Sequence, residues 1–407
     1  MVAALRGAPV SVDVYAPWHE SLETLQARHT HHQEILDEIT KTITAWQGGQ
    51  QSLSIYLFGP RGAGKSHLLA LSCKRARRQG VRVGVIPEDI PVLSNAAAVM
   101  QRIIDSLHPS GWQTWNRSSS HTIPAGRCVV FFEGLDRQLK GLGLEGRRNL
   151  RRLLTEQDAI LLIATGVTLD ANFVGRKEAF FNHFSPWPVS PLGKEASGTL
   201  LERVAGSEAT SRVRWPARCS ALVTLSGGSP RTLVALGQSC SRSPDAWASE
   251  HLQNVVRQFT AHYQMRFRDL PPQGQRILEL LAEAPRELSP TEMGEILGLQ
   301  PSHVSSVARR MTSDGVLSVR QEGRKSWYRI SEPLFRYWHE YRTAPWEIAR
   351  VELIGRLLEA MASPMELVDV LAAHQDDTMR MAAEAVFKRD QGATWSALLE
   401  LLDELKS

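Results

Sequence analysis

The chain has few cysteines and no long apolar run, and each shortage excludes a class of protein. Its 407 residues include only 4 cysteines, Cys73, Cys128, Cys219 and Cys240, scattered singly without the paired spacing of a zinc site or a disulfide framework. No stretch approaches the roughly 18 uncharged apolar residues of a membrane helix, and residues 1–14 lack a signal peptide's apolar block. We therefore expect reduced cysteines, a cytoplasmic location and no membrane partner.

Net charge is also low, at +4, but it is unevenly distributed. Residues 345–407 hold 6 Lys and Arg against 12 Asp and Glu, so the rest of the chain carries +10. A basic body with an acidic tail is compatible with a nucleic-acid partner, although solvated helical faces are often basic too. With 43% hydrophobic and 22% charged residues the composition is that of a folded protein, and the length predicts two or three domains.

Short apolar runs alternate with helical periodicity through the first half of the chain. Strands are predicted at 54–58, 81–86, 128–132 and 159–164, with helices at 65–78, 96–107 and 147–156. Strands that alternate with helices indicate a parallel sheet covered on both faces. After Leu192 the strands stop, and helical patterns at 194–204 and 215–226 indicate a small helical lid.

A glycine-rich segment between the first strand and its helix carries the strongest functional signal. Its residues are Gly59, Pro60, Arg61, Gly62, Ala63, Gly64, Lys65 and Ser66, followed by His67. The spacing fits G-x-x-x-x-G-K-[ST], whose backbone N–H groups and helix N-terminus face nucleotide phosphates. Lys65 is expected to neutralise the β- and γ-phosphates, and the Ser66 hydroxyl to bind Mg²⁺. We therefore expect ATP and Mg²⁺ as cofactors; the alternative is a chance glycine-rich turn.

An acid at the tip of another buried strand is expected to hold a metal-bound water. Glu133 follows the predicted strand 128–132 and supplies this acid. A second acid, which orients or deprotonates the attacking water, is commonest at the next position, but that residue is Gly134. Asp136 is the nearest substitute. A carboxylate at a strand end can also be an ordinary loop cap, so both roles stay open.

With these motifs, residues 20–342 resemble the AAA+ ATPases, and among them the initiator type (origin-recognition-like or archaeal ATPase) that joins an ATPase to a winged helix. The resemblance implies that Thr165, at the end of the fourth strand, senses the γ-phosphate. It implies the same for Arg231, in a Gly-Gly-x-Pro-Arg signature of the lid, whose guanidinium fork suits a phosphate. Arg176 matches the family's arginine finger, which implies self-association; a surface arginine is the alternative.

Residues 272–342 are typical of a compact DNA-binding module. Three helices, with a tight turn between the second and third, precede two short strands around a turn, an order that resembles a MarR-like winged helix. In such a module the third helix enters the major groove and the wing contacts phosphates. The candidate DNA-binding residues are Ser302, His303, Ser305, Ser306, Arg309, Arg310, Arg320, Arg324 and Lys325. The alternative is a winged helix that docks a protein.

The predicted fold class is α/β: a P-loop NTPase parallel sheet with a helical lid, followed by a winged-helix domain and a helical C-terminal tail. The predicted boundaries are 1–191 for the ATPase domain, 192–270 for the lid, 271–344 for the winged helix and 345–407 for the acidic helical region.

Three functional hypotheses follow from these motifs. The leading one is an ATP-hydrolysing protein that binds duplex DNA and acts as a nucleotide-controlled motor or loader in replication, mobile-element or anti-phage defence processes. A partner such as a nuclease, transposase or helicase would supply any further activity. The second is a slow signal-transduction-type NTPase switch whose winged helix docks a protein. The third is a transcription regulator with a vestigial ATPase, which the intact Lys65 and Ser66 disfavour.

Overall fold

The computed structural model describes residues 17–108, 122–169, 178–284 and 286–343. These residues form two compact units that divide between Pro191 and Leu192. No helix within the described ranges is long and apolar enough to cross a membrane. The acidic region 345–407 and Arg176 lie outside the described residues.

The first unit is built around a five-stranded parallel sheet. Its strands are β1 (Ser54–Phe58), β2 (Val83–Ile86), β3 (Cys128–Phe132), β4 (Ile160–Gly166) and β5 (Phe184–Pro188), in the order β2-β3-β4-β1-β5. Because every pairing is parallel, the carboxyl ends of all five strands meet at one edge. The segments that leave β1, β3 and β4 at this edge are therefore neighbours.

Helices cover both faces of this sheet. They are α1 (Leu22–Arg28), α2 (Gln33–Gln47), α3 (Lys65–Arg78), α4 (Ala96–Ser106) and α5 (Leu135–Glu156), and a short 3₁₀ helix, Pro17–His19, precedes them. Successive residues of β3 point to opposite faces: Val130 and Phe132 pack with α4 and α5, whereas Val129 and Phe131 pack with α2 and α3. Burial on both faces explains the unbroken apolar runs, and the predicted parallel α/β sheet is confirmed.

The strand β5 is an addition that the sequence analysis does not predict. Its sequence contains Pro186 and Pro188, which lack the N–H group that a central strand needs. β5 lies at the edge of the sheet and pairs only with β1 in the described part of the chain. The two prolines are two residues apart, so their nitrogens point in the same direction. Val189, one residue further on, points in the opposite direction, and its N–H donates to the Phe58 carbonyl at 2.7 Å.

The second unit is mainly helical. Its helices are α6 (Lys194–Thr210), α7 (Trp215–Ser226), α8 (Pro230–Arg242), α9 (Ala248–Arg268), α10 (Pro272–Glu283), α11 (Pro290–Leu297), α12 (Pro301–Ser313) and α13 (Pro333–Thr343), and an antiparallel hairpin of β6 (Leu317–Glu322) and β7 (Lys325–Ile330) lies between α12 and α13. The side chain of Ser289 caps α11, and Glu292 accepts a hydrogen bond from the Ser289 N–H at 2.8 Å. The stacked rings of Tyr263 and Phe335 pack α13 against α9.

Candidate nucleotide-binding site

The glycine-rich loop connects the end of β1 to the start of α3. Position 59 requires glycine because the backbone of Val189 lies close to it: a Cβ atom at position 59 would be 2.0 Å from the Val189 carbonyl oxygen. Lys65 begins α3 and donates hydrogen bonds to the carbonyl oxygens of Gly59 and Pro60 at 2.5 and 2.8 Å. The lysine ammonium is therefore held against the loop, where the motif requires it to meet phosphate.

Glu133 lies at the carboxyl end of β3 and is only 7% exposed. One carboxylate oxygen, Oε2, accepts a hydrogen bond of 3.0 Å from the Trp18 indole N–H, and Oε1 is buried without a well-formed hydrogen bond to any described residue. Burial raises the pKa of Glu133, and polar contacts with the Ser66 hydroxyl and Trp18 oppose that rise. The structure thus brings together the two side chains predicted to bind metal.

Thr165 lies in β4, between β1 and β3 in the sheet. It is buried, and its Oγ1 accepts a hydrogen bond from the Gly134 N–H at 3.2 Å. The predicted sensing residue is therefore placed beside the loop that follows Glu133.

Asp136, the predicted substitute for the second acid, is 6% exposed and bound on both carboxylate oxygens. Oδ1 accepts from the Arg137 N–H and Oδ2 from the Val167 N–H, each at 3.0 Å. The side chain thereby ties the first turn of α5 to the segment after β4. This geometry favours anchoring over proton transfer, and a role for Asp136 in the reaction stays a prediction.

A second acid that the sequence analysis does not identify lies beside Glu133. Glu88 follows β2 by two residues, and Arg61 of the glycine-rich loop donates a hydrogen bond of 2.7 Å to its Oε1. Burial raises the pKa of Glu88, but the positive charges of Arg61, Lys65 and Arg137 outweigh burial and lower it below its ordinary value. No local motif marks this residue; only the pairing of β2 with β3 brings it to the site.

Two histidines flank the glycine-rich loop. His67, in the first turn of α3, stacks on His29 with ring centroids 5.8 Å apart and planes 2° from parallel. Burial lowers the pKa of His67 to about 4 and also lowers the pKa of His29, so both rings are neutral at pH 7. His32 makes a hydrogen bond of 3.0 Å with the Ser190 carbonyl. The flank of the loop therefore contains a stacked pair of neutral imidazole rings, those of His29 and His67.

In the second unit, Arg231 lies in the first turn of α8 and binds Glu332, which is 101 residues further along the chain. Its Nη2 donates to Glu332 Oε1 at 2.7 Å, the Tyr263 hydroxyl donates to the same oxygen at 2.7 Å, and Arg266 Nη1 donates to Oε2 at 3.1 Å. Burial alone would raise the pKa of Glu332, but the two guanidinium groups lower it. No sequence pattern predicts this buried cluster.

The predicted DNA-binding residues lie on α12 and the β6–β7 hairpin. All are exposed except Ser305, which is half-buried. Arg309, Arg310, Arg324 and Lys325 form no ion pair with any described residue, whereas Arg320 binds Glu287 at 2.7 Å and Glu322 at 2.9 Å. The hairpin turn and the exposed side of α12 therefore present four uncompensated positive charges.

Comparison with known proteins identifies the fold. No protein-family model and no curated protein matches the chain. The Walker-type ATPase PABY2304 of Pyrococcus abyssi is similar to it with a TM-score of 0.57 at 14% identity, over 76% of this chain and 95% of that chain. Orc1 of Aeropyrum pernix, solved in complex with DNA, gives a TM-score of 0.46 at 14% identity, over 80% and 92% of the two chains. The RuvB Holliday junction branch migration motor of Thermotoga maritima gives 0.41 at 16% identity, over 78% and 99%.

The sheet order, the glycine-rich loop after β1 and the likeness to the Pyrococcus protein together define a P-loop NTPase fold. The predicted P-loop NTPase sheet is confirmed, and the winged helix and the helical C-terminal tail remain predictions. At 14% identity the likeness shows the architecture, and the chemistry rests on this chain's own residues.

Proposed function

We propose that the protein binds and hydrolyses ATP in its first unit, and that the module at 271–344 is a winged helix that binds duplex DNA under control of the nucleotide. The observation that carries the ATPase half is the convergence of Lys65, Ser66, Glu133 and Thr165 at one edge of the sheet. Lys65 and Ser66 belong to the glycine-rich motif, Glu133 supplies the acid at a strand end, and Thr165 is the sensing residue that the family resemblance implies.

The residues present fit Mg²⁺. The ion prefers oxygen ligands and retains several of its waters, and Ser66 and Glu133 offer one hydroxyl and one carboxylate. The buried Oε1 of Glu133, which lacks a well-formed hydrogen bond to the described residues, is an oxygen that a metal-bound water would satisfy. When bound, Mg²⁺ supplies positive charge to the β- and γ-phosphates.

This chain's own groups have separate tasks in hydrolysis. The N-terminus of α3 and the Lys65 ammonium bind the phosphates, because both carry positive charge toward the loop. Thr165, which accepts from the Gly134 N–H, has a hydroxyl proton that can be donated to the γ-phosphate or to the attacking water. The neutral, stacked rings of His29 and His67 lie beside the loop and are the candidates for contact with the adenine base.

The DNA-binding half rests on the uncompensated charges of α12 and the hairpin turn. Arg309 and Arg310 lie on the exposed side of α12, and Arg324 and Lys325 lie at the hairpin turn. Phosphate contacts of this kind give affinity that does not depend on base sequence. Self-association and an effector partner remain predictions.

A protein-docking module is the second candidate function, and Arg320 favours it. Its guanidinium is already paired with Glu287 and Glu322, which removes one positive charge from the hairpin. Gly134 replaces the usual second acid, and the absence of that acid would slow hydrolysis. The pairing of Arg320 and the glycine at position 134 together favour a slow switch that docks a protein.

A salt titration separates the two candidates. Duplex DNA binding is measured at several salt concentrations for the wild type and for Arg309→Ala/Arg310→Ala. The DNA-binding proposal expects affinity to fall steeply with salt, and the slope of log affinity against log salt to decrease by about two units in the double variant. Undetectable DNA affinity of the wild type at low salt would favour the docking module.

A further inference from the structure

The acid missing at position 134 has a structural replacement. Gly134 occupies the left-handed region, with φ 66°, so a residue with a side chain would be strained there. The backbone at this point therefore disfavours the acid that is commonest after the Glu133 position. A carboxylate that serves the same space has to come from another strand.

Strand pairing brings Glu88 to that space. β2 and β3 are parallel neighbours with Ile86 opposite Phe132, and the Glu133 N–H continues the ladder by donating to the Ile86 carbonyl at 2.9 Å. Counting two residues onward on each strand places Glu88 opposite Gly134. A Cβ atom built on Gly134 would lie 3.3 Å from the Glu88 Cγ, so the Glu88 side chain occupies the region that a side chain at position 134 would enter.

The Glu88 carboxylate is accessible to water, whereas the Asp136 carboxylate is not. The Glu88 side chain is 41% exposed, and its Oε1 accepts a hydrogen bond from Arg61 at 2.7 Å. Asp136 is 6% exposed, and each of its oxygens already accepts a backbone N–H. Of the two acids near Glu133, only Glu88 combines the required position with access to water.

We infer that Glu88 takes the place of the missing second acid and orients the water that attacks the γ-phosphate. The inference rests on the proposed ATPase function. In the reaction an O–P bond forms between the water and the γ-phosphorus, and the bond from that phosphorus to the β–γ bridging oxygen breaks, releasing ADP. The water proton passes to the Glu88 carboxylate and from there to the phosphate product. Arg61 holds the carboxylate beside the glycine-rich loop.

The test compares Glu88→Gln with Arg61→Gln at saturating ATP, with Asp89→Asn, an exposed acid one residue away, as the matched control. Glu88→Gln is expected to lower turnover at least about 100-fold, a usual contribution of a positioned acid or base. ATP affinity is not weakened, since a carboxylate repels phosphate. Nucleotide recovered from the wild type after incubation is ADP, whereas Glu88→Gln retains ATP.

Equal losses of turnover in Glu88→Gln and Arg61→Gln, with ADP recovered from both, would mean that Glu88 only positions Arg61 and would overturn the inference. A wild type whose hydrolysis does not exceed that of Lys65→Ala would overturn the proposed ATPase function as well. Wild-type turnover that persists unchanged in Glu88→Gln would overturn the role of Glu88 alone.

Discussion

The cluster around Glu332 allows a quantitative prediction about the second unit. The Glu332 side chain is 1% exposed and receives hydrogen bonds from two guanidinium groups, those of Arg231 and Arg266, whose side chains are 15% and 12% exposed. Glu332→Gln preserves the shape but removes the negative charge, leaving two nearly buried positive charges side by side. Breaking a buried ion pair from one side costs about 3–5 kcal/mol of unfolding free energy.

Thermal and urea unfolding of the full chain, followed by circular dichroism, measures this cost. For a unit of this size the loss corresponds to a fall in melting temperature on the order of 10 °C. Glu295→Gln, on an exposed turn of α11, is the matched control and is expected to change little. Arg231→Gln is expected to cost less than Glu332→Gln, because Glu332 keeps Arg266 and Tyr263. A Glu332→Gln variant as stable as the control would refute the conclusion that the buried ion pairs of Glu332 stabilise the second unit.

Two further predictions concern a buried histidine and the Trp18 contact. Burial lowers the pKa of His251 to about 4, so the neutral ring stabilises the fold fully above pH 6.5 and this contribution is lost as pH falls toward 4. The loss is about 2 kcal/mol at pH 5 and should diminish in His251→Gln, measured by urea unfolding at pH 5 and 7; identical pH dependence in both proteins would contradict it. Trp18→Phe removes the 3.0 Å hydrogen bond to Glu133 and should cost roughly 1.5–3 kcal/mol, whereas in a Glu133→Gln background the same change should cost less. Equal costs in the two backgrounds would show that Trp18 stabilises by packing alone.

The parts of the fold that the sequence predicts are those with strong local patterns. The run 55–58 is apolar because β1 is covered on both faces, and the glycines after it mark the loop. The same reasoning locates Glu133 and Thr165, since each lies in or directly after an apolar strand. For Glu133 and Thr165, the position along the strand is enough to predict that the side chain lies at the carboxyl edge of the sheet.

The parts that the sequence does not predict depend on contacts between distant segments. β5 contains two prolines, which are tolerated because the strand lies at the edge of the sheet. No local sequence pattern shows that a strand will lie at an edge. Glu88 reaches the site through the register of β2 against β3, and Arg231 meets Glu332 across 101 residues. Asp136 is the acid nearest in sequence to position 134, but backbone N–H groups occupy both of its oxygens.

The proposed function couples ATP hydrolysis in the first unit to duplex DNA bound by the second. Steady-state ATP hydrolysis with and without duplex DNA, at low and high salt and with Lys65→Ala as the blank, tests it most directly. Coupling predicts a Lys65-dependent rate that DNA increases at low salt, with the increase disappearing as salt rises. A Lys65-dependent rate that duplex DNA leaves unchanged at low salt would contradict the coupling.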